Sequence, residues 1–132
     1  MNRMVHTIGN ENNTYNPFVI AKNKDIEIKY IDFGIENYGQ LIRIEDSNII
    51  LLSQLIKGMK KSFFIVAHEL GHYVLKHKNQ VSDARVRDEF EANFFATELC
   101  FEFYREQHNK KATQPRQLLE YGMPMEMRLG KN

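Results

Sequence analysis

Two histidines four residues apart, with a glutamate directly after the first, stand in the middle of an apolar run. The stretch is "SFFIVAHELGHYVLKH", Ser62 to His77, and the three residues are His68, Glu69 and His72. On a helix, positions i and i+4 share a face, about 40° apart at 3.6 residues per turn. His68 and His72 can therefore aim two imidazoles at one point, which is how a single helix holds a divalent metal. Glu69 lies about 100° round from His68. It is badly placed to ligate the same ion but can reach a water activated by it. A metal lowers the pKa of water toward neutrality, and a carboxylate beside it can take the proton and pass it to a leaving amine. This is the chemistry of an H-E-x-x-H metallopeptidase.

The surroundings argue against a chance pair of histidines. Phe63, Phe64, Ile65, Val66, Ala67, Leu70, Val74 and Leu75 flank the polar trio. Burying two imidazoles and a carboxylate without partners costs several kcal/mol, and a metal supplies the partner. Gly71 between the ligands costs a helix about 1 kcal/mol relative to alanine, and marks a place where another backbone can approach.

A catalytic zinc takes three protein ligands and keeps a fourth position open. His77, five residues past His72, lies about 140° away if the helix continues, and reads instead as a cation near a helix C-terminus. His6 and His108 sit in polar segments and read as surface residues. The acidic candidates are Asp83, Asp88, Glu89 and Glu91, beyond a polar connector "KNQVSD". A helix returning from that connector packs on the first. Glu89 shares a face with Ala92, Asn93 and Ala96, small residues that let two helices close up, and Asn93 can hydrogen-bond it at i+4. Glu91 shares a face with Phe94, Phe95 and Glu98, where two phenylalanines hold the helices apart. Glu89 is the favoured third ligand and Glu91 its rival.

The elements that must position these residues follow from periodicity. Residues 1–15 are polar and Asn-rich and read as a mobile stretch. Asn16-Pro17 is a helix start, with Asn16 as N-cap and Pro17 in the first position. "DIEIKYIDF" and "QLIRIED" alternate at period two, and "IILLS" is a fuller apolar strand. About Lys60 to His77 fits a helix. Ser82 is a candidate N-cap for a long helix through "ARVRDEFEANFFATELCFEFYREQ". A short helix opens at Thr113–Pro115 and stops near Gly122, and Met123-Pro124 begins a last turn. The expectation is one α+β domain over residues 1–132, with about three antiparallel or mixed strands packed on helices.

Composition sets bounds on function. The chain has 18 basic and 17 acidic residues, net charge +1, so charge offers no case for nucleic acid or an anionic membrane. The one cysteine, Cys100, excludes an intramolecular disulfide, fits a reducing cytosol, and lies among apolar residues as a core filler. No signal-peptide h-region and no membrane-length apolar run is present.

With these residues in view, the chain resembles the ImmA/IrrE family of metallo-endopeptidases from about Asn16 to Leu129. "NPFVIAKNKDIEIKYIDF" resembles the family's opening helix and first strand, and "SNIILLS" the strand before its metal helix. "FFIVAHELGHYVLKH" is very close to the central motif. "EFEANFFATEL" resembles the second motif, and "LLEYGMPMEMRL" a C-terminal segment. After Leu99 the chain departs, reading "CFEFYREQ" where many members have further leucine or methionine and a proline. The resemblance implies a zincin-like active-site helix, with His68, His72 and Glu89 as Zn2+ ligands and Glu69 as the catalytic carboxylate. It also implies a cytoplasmic protease whose substrate is a helix-turn-helix repressor of a phage or mobile element. The other reading is a non-catalytic module that grips a repressor or toxin partner around a structural metal. An intact Glu69 and a set of three ligands favour catalysis.

Overall fold

The computed structural model describes residues 2–32, 38–78 and 83–123. Its elements are α1 (Asn2–Asn12), α2 (Pro17–Asn23), β1 (Ile26–Ile31), β2 (Gly39–Ile44), β3 (Ser47–Ser53), α3 (Ser62–Val74) and α4 (Asp83–His108). Short 3-10 helices cover Gln54–Ile56 and Pro115–Tyr121. This is the expected α+β class, with a sheet of three strands. The expected N-cap Ser82 and the turn at Met123-Pro124 fall outside the described residues, the latter from Pro124 onward.

The sheet order is β1-β3-β2, with β3 central. β3 runs parallel to β1, from Ile26 opposite Asn48 to Ile31 opposite Ser53. It runs antiparallel to β2, from Gly39 opposite Leu52 to Ile44 opposite Ser47. The sheet is therefore mixed, and β2 forms one edge. The composition of β3 explains its place: Ile50 and Leu52 are fully buried, as a strand flanked on both sides requires. Its helical cover includes α3, where Phe64, Val66, Ala67 and Leu70 are buried.

Two starts and stops follow local chemistry. Asn16 caps α2 as expected, its Oδ1 accepting from the Phe18 N–H at 2.9 Å ahead of Pro17. The last 3-10 helix ends at Gly122, whose φ of +94° is left-handed, and a side chain there would run into the backbone of Lys61.

Within the stretch 1–15, expected to be mobile, residues 2–15 are ordered instead. Asn2–Asn12 form a helix whose Val5 and Ile8 are buried in the core. Thr14 and Tyr15 then tie the chain to α4: the Thr14 hydroxyl and the Tyr15 N–H donate to the two oxygens of Glu106, both at 2.7 Å. High asparagine content hid an apolar pair spaced i, i+3.

The far end of α4 closes the core away from the histidines. Phe103 packs at a tilt against Phe63 and Tyr121, with ring centres 5.0 and 5.3 Å apart. Cys100 is fully buried there, and burial drives its thiol well above its ordinary pKa, so it is inert filler. Among the described residues no helix is long and apolar enough to cross a membrane.

Candidate metal centre

The two central helices meet where neither has a bulky side chain. A Cβ built on Gly71 of α3 would lie 3.2 Å from both Cα and O of Ala92 on α4. Ala92 and Ala96 are fully buried along the same line. This is the close approach that Gly71 and the small-residue face of α4 foretell. It brings Glu89, one turn before Ala92, within reach of His68 and His72.

The three side chains converge. His68 Nε2 lies 3.0 Å from Glu89 Oε1, and His72 Nε2 lies 3.1 Å from Glu89 Oε2. The two Nε2 atoms are 3.2 Å apart. The imidazole planes cross at 84°, so the rings point their edges at a common spot rather than stacking face to face. Zinc bonds of about 2.0–2.1 Å in a tetrahedron set the donor atoms about 3.3 Å apart. The observed triangle has that size, and two imidazoles with one carboxylate are a donor set that could hold a zinc ion.

The other ring nitrogens are also engaged, as metal-binding histidines require. His68 Nδ1 lies 2.8 Å from Asn93 Oδ1, and His72 Nδ1 lies 2.9 Å from His77 Nδ1. Asn93 thus supports the site, but through His68 and not through Glu89 as the i+4 spacing suggested.

Glu69 occupies a separate position. It is 8% exposed, and its Oε1 accepts the backbone N–H of Leu41 on β2 at 2.8 Å. That N–H points away from β3, so the sheet's edge holds the carboxylate in place. Glu69 and the triangle share one cavity of about 920 Å³. Its walls are Tyr38 to Leu41 and Arg43 on the strand side, Phe64 and Ile65 on α3, and Arg85 and Asp88 on α4.

Charge follows burial and proximity. Burial pushes the Glu69 carboxyl above its usual pKa; the positive charge of nearby histidines and the Leu41 hydrogen bond oppose this without cancelling it. Glu89 moves the other way, held well below the usual carboxylate range chiefly by its hydrogen bonds to His68 and His72. Burial pulls His68 down, yet the Glu89 hydrogen bond and the charges of Glu69 and Glu89 outweigh it, and its pKa rises. One carboxylate is thus held ionised beside the imidazoles, while burial makes the other take a proton more readily.

Glu91 does not join the triangle. Its Oε1 lies 2.8 Å from His77 Nε2, with Asp88 Oδ1 at 3.5 Å from the same nitrogen. His77, Asp88 and Glu91 make a second group whose ligand atoms all lie within 4.8 Å of one another. The angle of about 140° that places His77 away from the ligands holds only if the helix runs through it. The helix stops at Val74, and Lys76 takes φ +61°. The His77 N–H then donates to His72 O at 3.0 Å and the Lys76 N–H to Tyr73 O at 3.1 Å. That pair of bonds is a Schellman ending, which folds the second residue past the cap back over the last turn. The contact there is ordinarily apolar; here it joins two imidazoles. His6 and His108 are surface residues as expected, near Glu102 at 3.1 Å and Glu120 at 3.5 Å.

A helix carrying H-E-x-x-H thus lies beside a three-stranded mixed sheet, and the next helix delivers a glutamate to its two histidines. Residues 21–121 match the family model Peptidase_M78, the IrrE N-terminal-like domain, and the chain belongs to that family of metallopeptidases. No curated protein and no solved structure gives a significant match.

Proposed function

We propose that this chain is a zinc-dependent endopeptidase in which His68, His72 and Glu89 hold the metal and Glu69 is the catalytic carboxylate. The observation that carries the reading is the separation of the two glutamates. Glu89 sits at the corner of a donor triangle, while Glu69 is anchored to the Leu41 N–H and lines the same cavity. A site built only to brace the fold has no use for the second carboxylate.

Each group's part follows from its surroundings. When bound, a divalent metal supplies the Lewis acidity that polarises a scissile carbonyl and lowers the pKa of water. Glu69 accepts the proton of the attacking water and returns it to the leaving amine. Its raised proton affinity suits both transfers, and its bond to Leu41 fixes its direction. Asn93 and His77 hold the two ligand rings. The strand-side wall from Tyr38 to Arg43 gives room for an extended segment of substrate.

The substrate we propose is a protein partner, a helix-turn-helix repressor, met in the cytoplasm. Family membership and the resemblance of the segments around Glu69 and Glu89 support this choice.

The test pairs the wild type with Glu69→Gln on a candidate repressor substrate, with a chelated control. Glutamine keeps the volume and cannot take the proton. The variant should fold, retain zinc and bind the partner, yet cut about 10²–10⁴-fold more slowly. Equal cutting by Glu69→Gln refutes the mechanism. Repressor binding without cutting by any of the three points instead to the binding module.

A further inference from the structure

His77 lies outside the donor triangle, 8% exposed at its side chain, yet touches it. Building on the metallopeptidase reading, we infer that His77, held by Glu91 and Asp88, is a positioning residue that fixes the ring of His72 with Nδ1 protonated and Nε2 bare for metal.

An imidazole that offers Nε2 to a metal carries its proton on Nδ1 and donates from there. His72 Nδ1 lies 2.9 Å from His77 Nδ1, so with Nε2 given to a metal its Nδ1–H points at that nitrogen. Two N–H groups cannot point at each other, so His77 Nδ1 is bare and accepts. With Nδ1 bare, the ring N–H of His77 is on Nε2. That nitrogen faces two carboxylates, Glu91 Oε1 at 2.8 Å and Asp88 Oδ1 at 3.5 Å. Every donor in the series finds an acceptor: His77 Nε2–H to Glu91, and His72 Nδ1–H to His77.

The placement of these protons also decides what the second cluster is not. A metal on His77 Nε2 would need that nitrogen bare and the proton on Nδ1. That proton would face the one on His72 Nδ1. While the 2.9 Å contact holds, the two groups of ligands cannot both be metal centres. His77, Asp88 and Glu91 resemble a metal site by distance alone, and their orientation makes them the support of the other.

His68 offers an internal reference. Its Nδ1 is met by Asn93 Oδ1, a plain amide acceptor, at 2.8 Å. An asparagine at position 77 can place Oδ1 close to where Nδ1 of the imidazole stands. Rescue by asparagine therefore separates an acceptor's role from mere filling of space.

The test is zinc affinity of the full chain, measured with the metal alone against a chromophoric chelator. The wild type should bind one zinc. His77→Ala should weaken binding about 10–100-fold, the range for partners of metal-binding histidines. His77→Asn should recover most of that loss. Wild-type affinity in His77→Ala, or His77→Asn no better than His77→Ala, overturns the inference. Should His77→Ala fail to fold, Glu91→Ala alters a side chain that is 41% exposed and should still weaken zinc binding, by less; unchanged affinity there counts against the series. Ring ¹⁵N shifts of zinc-loaded wild type give an independent readout. Nδ1 bare and Nε2 protonated is expected for His77. A proton on Nδ1, or a second zinc on Nε2, overturns it. A folded wild type that binds no zinc refutes the metallopeptidase reading itself, whereas tight binding indifferent to His77 refutes only the inference.

Discussion

Two carboxylate–histidine clusters sit side by side on the seam between α3 and α4. One comprises His68, His72 and Glu89; the other comprises His77, Asp88 and Glu91. They use the same residue types at similar distances. They differ in what else each ring touches. In the first, both Nδ1 atoms are engaged outside the cluster, by Asn93 and by His77, so the two Nε2 atoms face each other and the Glu89 carboxylate at a single point. In the second, the histidine's two nitrogens are both spent, one on His72 and one on the carboxylates. Proximity of ligand types is therefore a weak criterion for a metal site. The direction of the unused lone pairs is the stronger one.

The largest effect expected from breaking this comparison is on metal content. His68→Ala, His72→Ala or Glu89→Ala should each strip zinc, more than about 100-fold in affinity, because each removes a donor atom outright. Glu91→Ala should keep one zinc per chain. Elemental analysis of protein purified without a histidine tag decides it. A result in which Glu91→Ala loses the metal and Glu89→Ala keeps it would exchange the two clusters' roles.

The next effect reaches the second cluster through the backbone. Lys76 holds φ +61°, a conformation closed to proline, and its N–H donates to Tyr73 O. Lys76→Pro should cost on the order of 3 kcal/mol in stability. It should also weaken zinc binding as His77→Ala does, although no ligand and no histidine has changed. Denaturant melts and zinc titration on the same sample test both halves. Loss of stability with wild-type zinc affinity would show that His72 keeps its orientation unaided.

A smaller and shared effect should follow from Gly71→Ala. The added Cβ would stand 3.2 Å from the backbone of Ala92, tighter than ordinary packing, so α4 must give by a few tenths of an ångström. Overpacking costs about 1–3 kcal/mol, and the gain in helix propensity returns about 1 kcal/mol. A net loss of about 1 kcal/mol is expected, with weaker zinc binding because Glu89 moves with its helix. Unchanged melting and unchanged affinity would show that the seam is loose.

What the sequence made legible was whatever a regular helix determines. The i, i+4 spacing places His68 and His72, Gly71 marks the close approach, and Glu89, Ala92 and Ala96 share the face that meets it. Two of the strands follow from alternation in the same way, and the third from a continuous apolar run. What stayed hidden depended on where regularity stops. The angle of about 140° that set His77 aside holds only along an unbroken helix. No glycine follows Leu75 to announce the end, and lysine is an unusual residue for a left-handed cap. α1 was obscured by composition, since asparagine is a poor helix former and only Met4, Val5 and Ile8 betray an inner face. The Leu41 N–H that anchors Glu69 is a backbone group 28 positions away and leaves no mark in residue types.

The cap at Lys76 is itself measurable. At C′ of a Schellman ending most helices use glycine, because an L side chain with positive φ crowds the following carbonyl. Lys76 bears that strain, of about 1–2 kcal/mol. Lys76→Gly relieves it, at the cost of a more flexible unfolded chain worth roughly 0.5–1 kcal/mol. The net should be a gain of about 0.5 kcal/mol, a rise of a few degrees at most in the melting midpoint. Zinc affinity should not change, since glycine adopts the same turn and His77 still lands on His72. This sets the two substitutions at one position against each other: proline should unseat His77 and glycine should leave it seated. If glycine also weakened zinc binding, the lysine side chain, and not the turn it permits, would be what holds the second cluster against the first.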